Sequence, residues 1–360
     1  MRLSDRYLAR SIITGTLTAV ILLSVVLIMG IMFQEIQDLL VRFELPPLLV
    51  GKFLLYNLPY PLMFTLPWGF LLTVLLTMGR LSKHNELVGF RTSGVSLVRL
   101  VLPVFILGLF FSGVCWFLVG VLAPYSKFYS KKLIDDAVEN DPIALLEPNA
   151  VQTRLPGQRA FVSGKEGDTL HGIHFYQLDS NKRDAEVELY VHAESATLEV
   201  DKENSQFLFS FREAFIDDGE SFPGTTASTA EPWPIPFPSK QGRKIKPSYR
   251  TNTSLIATLT KAEDEEERLA LLSEFQKRQA LSLACLAFSF IGVPLGITGR
   301  RKESNRGLIL SLIVAGAYFG CLLMAENFEK EPALAATLYW SPNIFCLVVG
   351  IWLLRRASRR

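Results

Sequence analysis

The 360-residue chain carries 37 Lys and Arg against 35 Asp and Glu, a formal charge of +2, and is 49% hydrophobic. A balance so close to neutral gives no reason to expect a nucleic-acid partner. Cys115, Cys285, Cys321 and Cys346 all lie in apolar stretches, where they serve as small hydrophobes, so the polar part of the chain has no disulfide framework.

These averages hide a strong segregation. Runs near residues 12–33, 53–79, 100–123, 279–299, 307–325 and 333–354 contain no Asp, Glu, Lys or Arg. At 1.5 Å per residue, roughly 20 residues cover the ~30 Å hydrocarbon core of a bilayer, so each run predicts a membrane span. The first follows Arg2, Arg6 and Arg10 but is longer than the about 7–15 apolar residues of a secretory signal and lacks its small-x-small end, so it reads as a retained span.

Pro59, Pro61 and Pro67 in the second span each remove a backbone donor and predict a bent helix, either lining a cavity or merely structural. Between spans 2 and 3, Gly79 to Leu100 predicts a short helix over about residues 82–93. Ser82 is its candidate N-cap, Glu86 lies in its first turns and Gly94 suits a left-handed C-terminal cap. Leu87, Val88 and Phe90 offer an apolar patch beside Glu86 and Arg91, which fits either a docking element or a helix resting on the membrane surface.

Three regions follow: residues 1–123 with spans 1–3, an extramembrane domain over 124–272, and residues 273–360 with spans 4–6. From about Ala150 to Arg212 the pattern alternates apolar and polar positions, as half-buried strands do, and predicts a sandwich or jelly roll. Residues 217–246, rich in Pro, Gly, Ser and Thr, read as a long loop or extended edge with little regular structure. His171 and His174, three apart on a strand, point to opposite faces and with His192 make no metal set. No Ser/His/Asp arrangement marks an enzyme. Residues 259–282 predict an amphipathic helix at the membrane surface, opened by a capping box of Thr260 and Glu263 and marked by Leu269, Leu272 and Phe275. In span 5, Gly316 and Gly320 form a small-xxx-small pair suited to close helix approach, within the chain or to another subunit.

Basic residues flanking short loops set orientation. Arg2, Arg6 and Arg10; Arg80, Lys83, Arg91 and Arg99; Arg300, Arg301, Lys302 and Arg306; and Arg355, Arg356, Arg359 and Arg360 alternate with acidic loops bearing Glu35, Asp38 and Glu44, and Glu326, Glu329 and Glu331. Both termini are therefore expected in the cytoplasm, with residues 124–272 outside. The charge-free runs argue against a proton- or sodium-driven carrier, since a charge held at mid-bilayer costs about 2.5–3.5 kcal/mol and usually serves coupling. No phosphate loop of the GxxxxGK[ST] type is present, so no cofactor is expected in this chain.

Several stretches, in order, carry a resemblance: "DRYLAR" (Asp5–Arg10), the Gly79–Leu100 segment, "AESATLEV" (Ala193–Val200), "LACLAFSFIGVPLGITGRR" (Leu283–Arg301) and "RGLILSL" (Arg306–Leu312). Together they resemble the LptF/LptG permeases of the lipopolysaccharide-export ABC transporter, with "GVPLGI" closer to the LptF branch. The resemblance implies an α-helical membrane protein with six transmembrane helices plus a periplasmic all-β, jelly-roll-like domain. It implies a multi-pass protein of the bacterial inner membrane, paired as an LptF/LptG heterodimer, without an ATP site of its own. ATP and Mg would be used by a cytoplasmic ATPase dimer (LptB) docked on the short helix, with Glu86 as coupling contact beside Phe90 and Arg91. Lipopolysaccharide would pass to the periplasmic bridge proteins LptC and LptA. Spans 1 and 5 would form lateral gates, giving Gly316 and Gly320 a role, and Arg42 would contact the lipid head group. The competing readings are a mechanotransmission-type ABC permease, which takes an ATPase but moves nothing through itself, and a non-transport scaffold or sensor.

Overall fold

The computed structural model describes residues 3–37, 47–140, 150–152, 158–166, 169–178, 187–201, 206–217, 225–229, 233–236, 246–262, 264–298, 306–328 and 331–359. The chain divides into two compact units. Met1–Phe33, Leu54–Tyr129 and Ile245–Arg360 form a helical unit, and Gln34–Phe53 with Ser130–Lys244 form the other. These divisions fall at 130 and 244: the helix of span 3 runs on past its charge-free stretch, and the chain rejoins the helices before span 4.

The helical unit begins with α1 (Leu3–Gln37); α2 (Pro47–Asn57) and α3 (Pro59–Lys83) follow it in the chain. Next come α4 (Glu86–Thr92) and α5 (Leu97–Phe117), a π-helical turn over Leu118–Leu122 and α6 (Ala123–Asn140). After the second unit follow α7 (Asn252–Leu259), α8 (Glu265–Ser282), α9 (Ala284–Thr298), α10 (Arg306–Glu326) and α11 (Pro332–Arg359). Among the described residues six helical runs are long and apolar enough to cross a membrane: Asp5–Gly30, Pro59–Lys83, Leu97–Leu133, Glu265–Thr298, Gly307–Glu326 and Pro332–Ala357.

Span 2 starts later than its apolar run predicts. Residues 53–57 belong to α2, and Pro59 and Pro61 occupy the first turn of α3, where a missing N–H costs no helical bond; only Pro67 is interior. Residues 265–282 form α8, which leads into span 4. α8 continues through Leu283, itself in the right-handed helical region, into α9 as one 34-residue run, and its N-cap is Asp264, whose Oδ1 accepts from Glu266 N at 3.2 Å. Thr260 instead ends α7, where its N–H bonds Ile256 O.

Span 4 is the axis of this unit. Its apolar window is 72% buried and that of span 2 is 67%, against 22% for span 1 and 28% for span 5, so spans 1 and 5 are peripheral. At the join near Leu283 neighbouring spans bond span 4 directly: Ser112 Oγ accepts from Leu286 N at 3.0 Å, and Tyr318 OH and Asn343 Nδ2 each donate to Ala280 O at 2.9 Å. Polar side chains buried among helices in this way satisfy backbone groups that lipid cannot.

In the second unit β1 (Ala150–Gln152), β2 (Gln158–Glu166), β3 (Thr169–Leu178), β4 (Val187–Asp201), β5 (Gln206–Asp217), β6 (Thr225–Thr229) and β7 (Trp233–Pro236) form one antiparallel sheet in the order β1-β2-β3-β4-β5-β6. β7 pairs with the first half of β5 while β6 pairs with its second half. The Pro-rich region therefore does hold regular structure: Pro234 and Pro236 lie on an edge strand, the place in a sheet where a residue without an N–H is tolerated. Phe175 of β3 stands in one row with Val191 and Ile216, seven residues along β5 from Phe209, a separation of roughly 25 Å in a flat sheet, yet the Phe175 and Phe209 ring centroids are 6.2 Å apart, so the sheet folds over on this buried face.

A crease crosses the sheet. Ladder pairing shifts register near Gln177 and Leu178 between β3 and β4, and it skips the row Ser163, Gly172, Glu194, Glu213 and Ser228 in four successive pairs of strands. Burial shifts phase there: Leu170, then Ile173 and Phe175; Val191 and Ala193, then Ala196; Phe209 and Phe211, then Ala214. Each of these strands inserts one residue at the same row, so register is kept while the face changes. Gly172 has φ +58°, and a Cβ there would lie 2.6 Å from Ser163 Oγ. Glu213 adopts φ 52° with a side chain, and its carboxyl hydrogen-bonds Glu194, whose proximity raises its pKa. A raised carboxyl pKa means that the native state favours the protonated form, so this pair's contribution is full below the ordinary carboxylate range and is lost as pH rises through the native value. Glu213→Asn should therefore slow amide hydrogen exchange of β4 and β5 at pH 7.5, by removing repulsion and easing the left-handed backbone, and the gain should shrink at pH 4.

Candidate functional site

The short helix α4 is mounted firmly. Phe90, Arg91, Gly94 and Val95 close it with a Schellman motif: Val95 N bonds Phe90 O at 3.1 Å and Gly94 N bonds Arg91 O at 3.0 Å, with Gly94 at φ +79°. This is the cap its sequence predicts. At the other end Asn85 takes the left-handed conformation (φ 55°), which Asn tolerates better than most residues. Ser82 is not the N-cap; it sits in the last turn of α3 and donates through Oγ to Ile297 O of α9 at 3.0 Å.

The apolar patch on α4 is divided. Leu87 is buried and Phe90 packs against the same core as Leu81, Leu97 and Leu100, so both hold the helix to the bundle. Val88, Gly89, Arg91 and Thr92 are exposed, and Glu86 is half-buried at the first turn. The arrangement can present a charged and apolar surface whose position is fixed by spans 2 and 3. Leu87→Ala should cost about 2–5 kcal/mol by emptying that seat, seen as a lower Tm in detergent, and Gly94→Ala should cost about 1–2 kcal/mol through its left-handed backbone.

At the far end of the bundle lies a cluster of charges that composition hides. Lys127 Nζ sits 4.7 Å from the centroid of the Tyr60 ring, in cation–π contact. Lys277 pairs with Glu326, and Arg278 Nε donates to Glu274 Oε1 at 2.9 Å. Three cations thus share two carboxylates, leaving a net positive charge. Tyr56, Tyr125, Phe128 and Tyr129 are exposed around the same end, and Tyr56 stands 6.0 Å from Tyr129 by ring centroids, as in the aromatic belt of a membrane interface. The alternation of aromatic and basic residues in "YSKFYSKK", just beyond the uncharged run of span 3, is the signal that could have found Lys127.

A groove of about 500 Å³ runs between α1 and α3, lined by Ser11, Thr14, Thr18, Thr73, Thr77 and Arg80, among others, with Arg80 Nη2 donating to Ser11 Oγ at 2.9 Å. Gly316 and Gly320 of α10 have nothing within 4 Å of where a Cβ would stand, so neither serves packing inside the described chain. Arg42 lies outside the described residues.

The histidines of the sheet meet, for a reason that strict alternation misses. The crease at Gly172 puts His171 and His174 on the same face rather than opposite ones. His174 pairs with His192 across β3 and β4, ring centroids 4.4 Å apart, and His174 Nδ1 lies 2.7 Å from Tyr190 OH. Burial, and then the neighbouring His192, lower the His174 pKa. Among the described residues no group of three or more His, Cys, Asp or Glu could hold a metal ion.

Among the described residues, five apolar helices and a central fourth span, with a short capped helix between the second and third and a strand unit inserted between the third and fourth, define a multi-pass membrane protein. A family model described as lipopolysaccharide export system permease LptF/LptG matches residues 6–356, and the chain belongs to that family. The match does not separate the LptF branch from the LptG branch. A search of curated protein sequences finds no significant match.

Proposed function

We propose that this chain is one of two six-span subunits that extract lipopolysaccharide from the bacterial inner membrane, driven by a separate cytoplasmic ATPase dimer bound at α4. The observation that carries the reading is the mounting of α4: a capped helix seated by Leu87 and Phe90, with Glu86 and Arg91 at its surface, in a chain whose family exports this lipid. With both termini in the cytoplasm, α4 faces the motor and the Lys127 cluster faces the periplasm. The surplus positive charge there suits the phosphates of the lipid head group, and the acyl chains would occupy the apolar space between the paired subunits. Peripheral spans 1 and 5, with Gly316 and Gly320 open, suit the contact with the paralogous subunit. Closure of the motor dimer would push α4, narrow that space and deliver lipid to the strand unit and then to the bridge proteins.

The test is ATP-dependent transfer of lipopolysaccharide from vesicles holding the complex to a soluble periplasmic acceptor. Transfer that requires both ATP and this chain supports the proposal. ATP hydrolysis with no lipid movement would favour a mechanotransmission permease.

A further inference from the structure

Arg278 is almost completely buried, at 2% exposure, within a membrane helix, and its guanidinium is fully engaged. Besides Glu274 it donates from Nη1 to Arg250 O at 2.7 Å and Asn252 Oδ1 at 3.1 Å, and from Nη2 to Pro247 O at 3.2 Å and Ser248 O at 3.4 Å. Those four acceptors lie in the short segment where the chain returns to the helical unit. Asn252, itself buried, packs its amide on Gly120, where a Cβ would overlap it, in the π-helical turn from which span 3 continues into α6 and leaves the helical unit after Tyr129. Single π-turns inside helices are frequent at functional sites. Departing and returning segments are thus fastened to one point on span 4.

The other end of span 4 is fastened as well. Ser82 bonds Ile297 O, and a Cβ at Gly296 would lie 2.6 Å from Met78 Cβ, so α9 is in close contact with the last turns of α3, which lead directly into α4. Ile297 and Arg278 stand roughly 28 Å apart at 1.5 Å per residue along one helical run. Spans 3, 5 and 6 bond the join between them.

We propose that Arg278 is a positioning residue for export: through it, span 4 acts as a strut joining the root of α4 to both chain connections of the strand unit. This rests on the reading of the chain as an export permease. A lysine would keep the charge but not the planar fan of donors that reaches five acceptors. The strut carries displacement of α4 to the strand unit, so its loss separates ATP hydrolysis from lipid delivery.

The experiment uses the complete complex in vesicles, with lipopolysaccharide as the probe and a soluble acceptor. Arg278→Lys and Asn252→Ala should reduce delivery about fivefold to tenfold while ATP hydrolysis and assembly stay within about twofold. Asn252→Asp, which keeps the acceptor, should restore delivery. Ser273→Ala, which removes a bond to Tyr339 on the same helix but off this path, should leave delivery unchanged. Where Arg278→Lys does not assemble, Asn252→Ala decides. Normal delivery by Asn252→Ala, or delivery and hydrolysis falling together in both variants, overturns the strut. A wild-type complex that hydrolyses ATP and delivers nothing overturns the export reading itself, which separates the two failures.

Discussion

Glu86→Arg is expected to weaken binding of the motor about thirtyfold or more and to abolish export to the same degree, with the Tm of the purified chain unchanged. Glu86 is half-buried at the first turn of α4, and among the described residues no hydrogen bond or ion pair of its carboxylate holds the bundle together. Reversal therefore touches the surface and leaves the seat made by Leu87 and Phe90 intact. Truncating one partner of a desolvated charge pair at an interface costs about 2–5 kcal/mol, and reversal adds repulsion. Binding measured with the isolated ATPase, alongside thermal unfolding, checks it. Normal docking by this variant would remove Glu86 from the coupling contact.

Gly350 is where an added methyl group is expected to strain the helical unit against backbone. A Cβ there would lie 2.5 Å from both the carbonyl carbon and the carbonyl oxygen of Phe290, backbone atoms of α9 that no side-chain rotation can move. Gly350→Ala must push α11 away from the central span. Overpacking of this kind costs about 1–3 kcal/mol, and Gly350→Val should cost more. Gly316→Ala makes the contrast, because its Cβ would meet open space within the chain. It should leave the Tm of the isolated chain unchanged while weakening recovery of the paired subunit. Thermal unfolding in one detergent with a pull-down of the paralogue separates the two glycines. Equal loss of Tm in both would contradict the packing described for span 6.

The spans were legible because a bilayer excludes charge so strongly that six uncharged runs stand out in the sequence, and Gly94 was legible because a left-handed cap selects for glycine. What escaped was whatever broke local periodicity. Helices α6 and α8 run past their uncharged stretches, so the uncharged runs leave out Lys127, Lys277 and Arg278, which pack among spans 2 to 5. Ser82 looked like a helix start by residue type, yet α3 persists through it because its hydroxyl has a partner 215 positions away, on Ile297. The Pro-rich stretch hid β6 and β7, since propensity does not reveal an edge position. The crease in the sheet was invisible because β3, β4 and β5 insert their extra residues at the same row, and alternation read strictly put His171 and His174 on opposite faces.

The central claim is that this chain, a paralogous partner and an ATPase form one lipid-exporting machine. The most direct test is purification of the tagged chain from its native membrane in mild detergent, with mass spectrometry of bound proteins and lipids. The account predicts recovery of a second six-span member of the family, a cytoplasmic ATPase and a phosphorylated glycolipid. Recovery of the chain alone, under conditions in which another ABC complex stays intact, would contradict it.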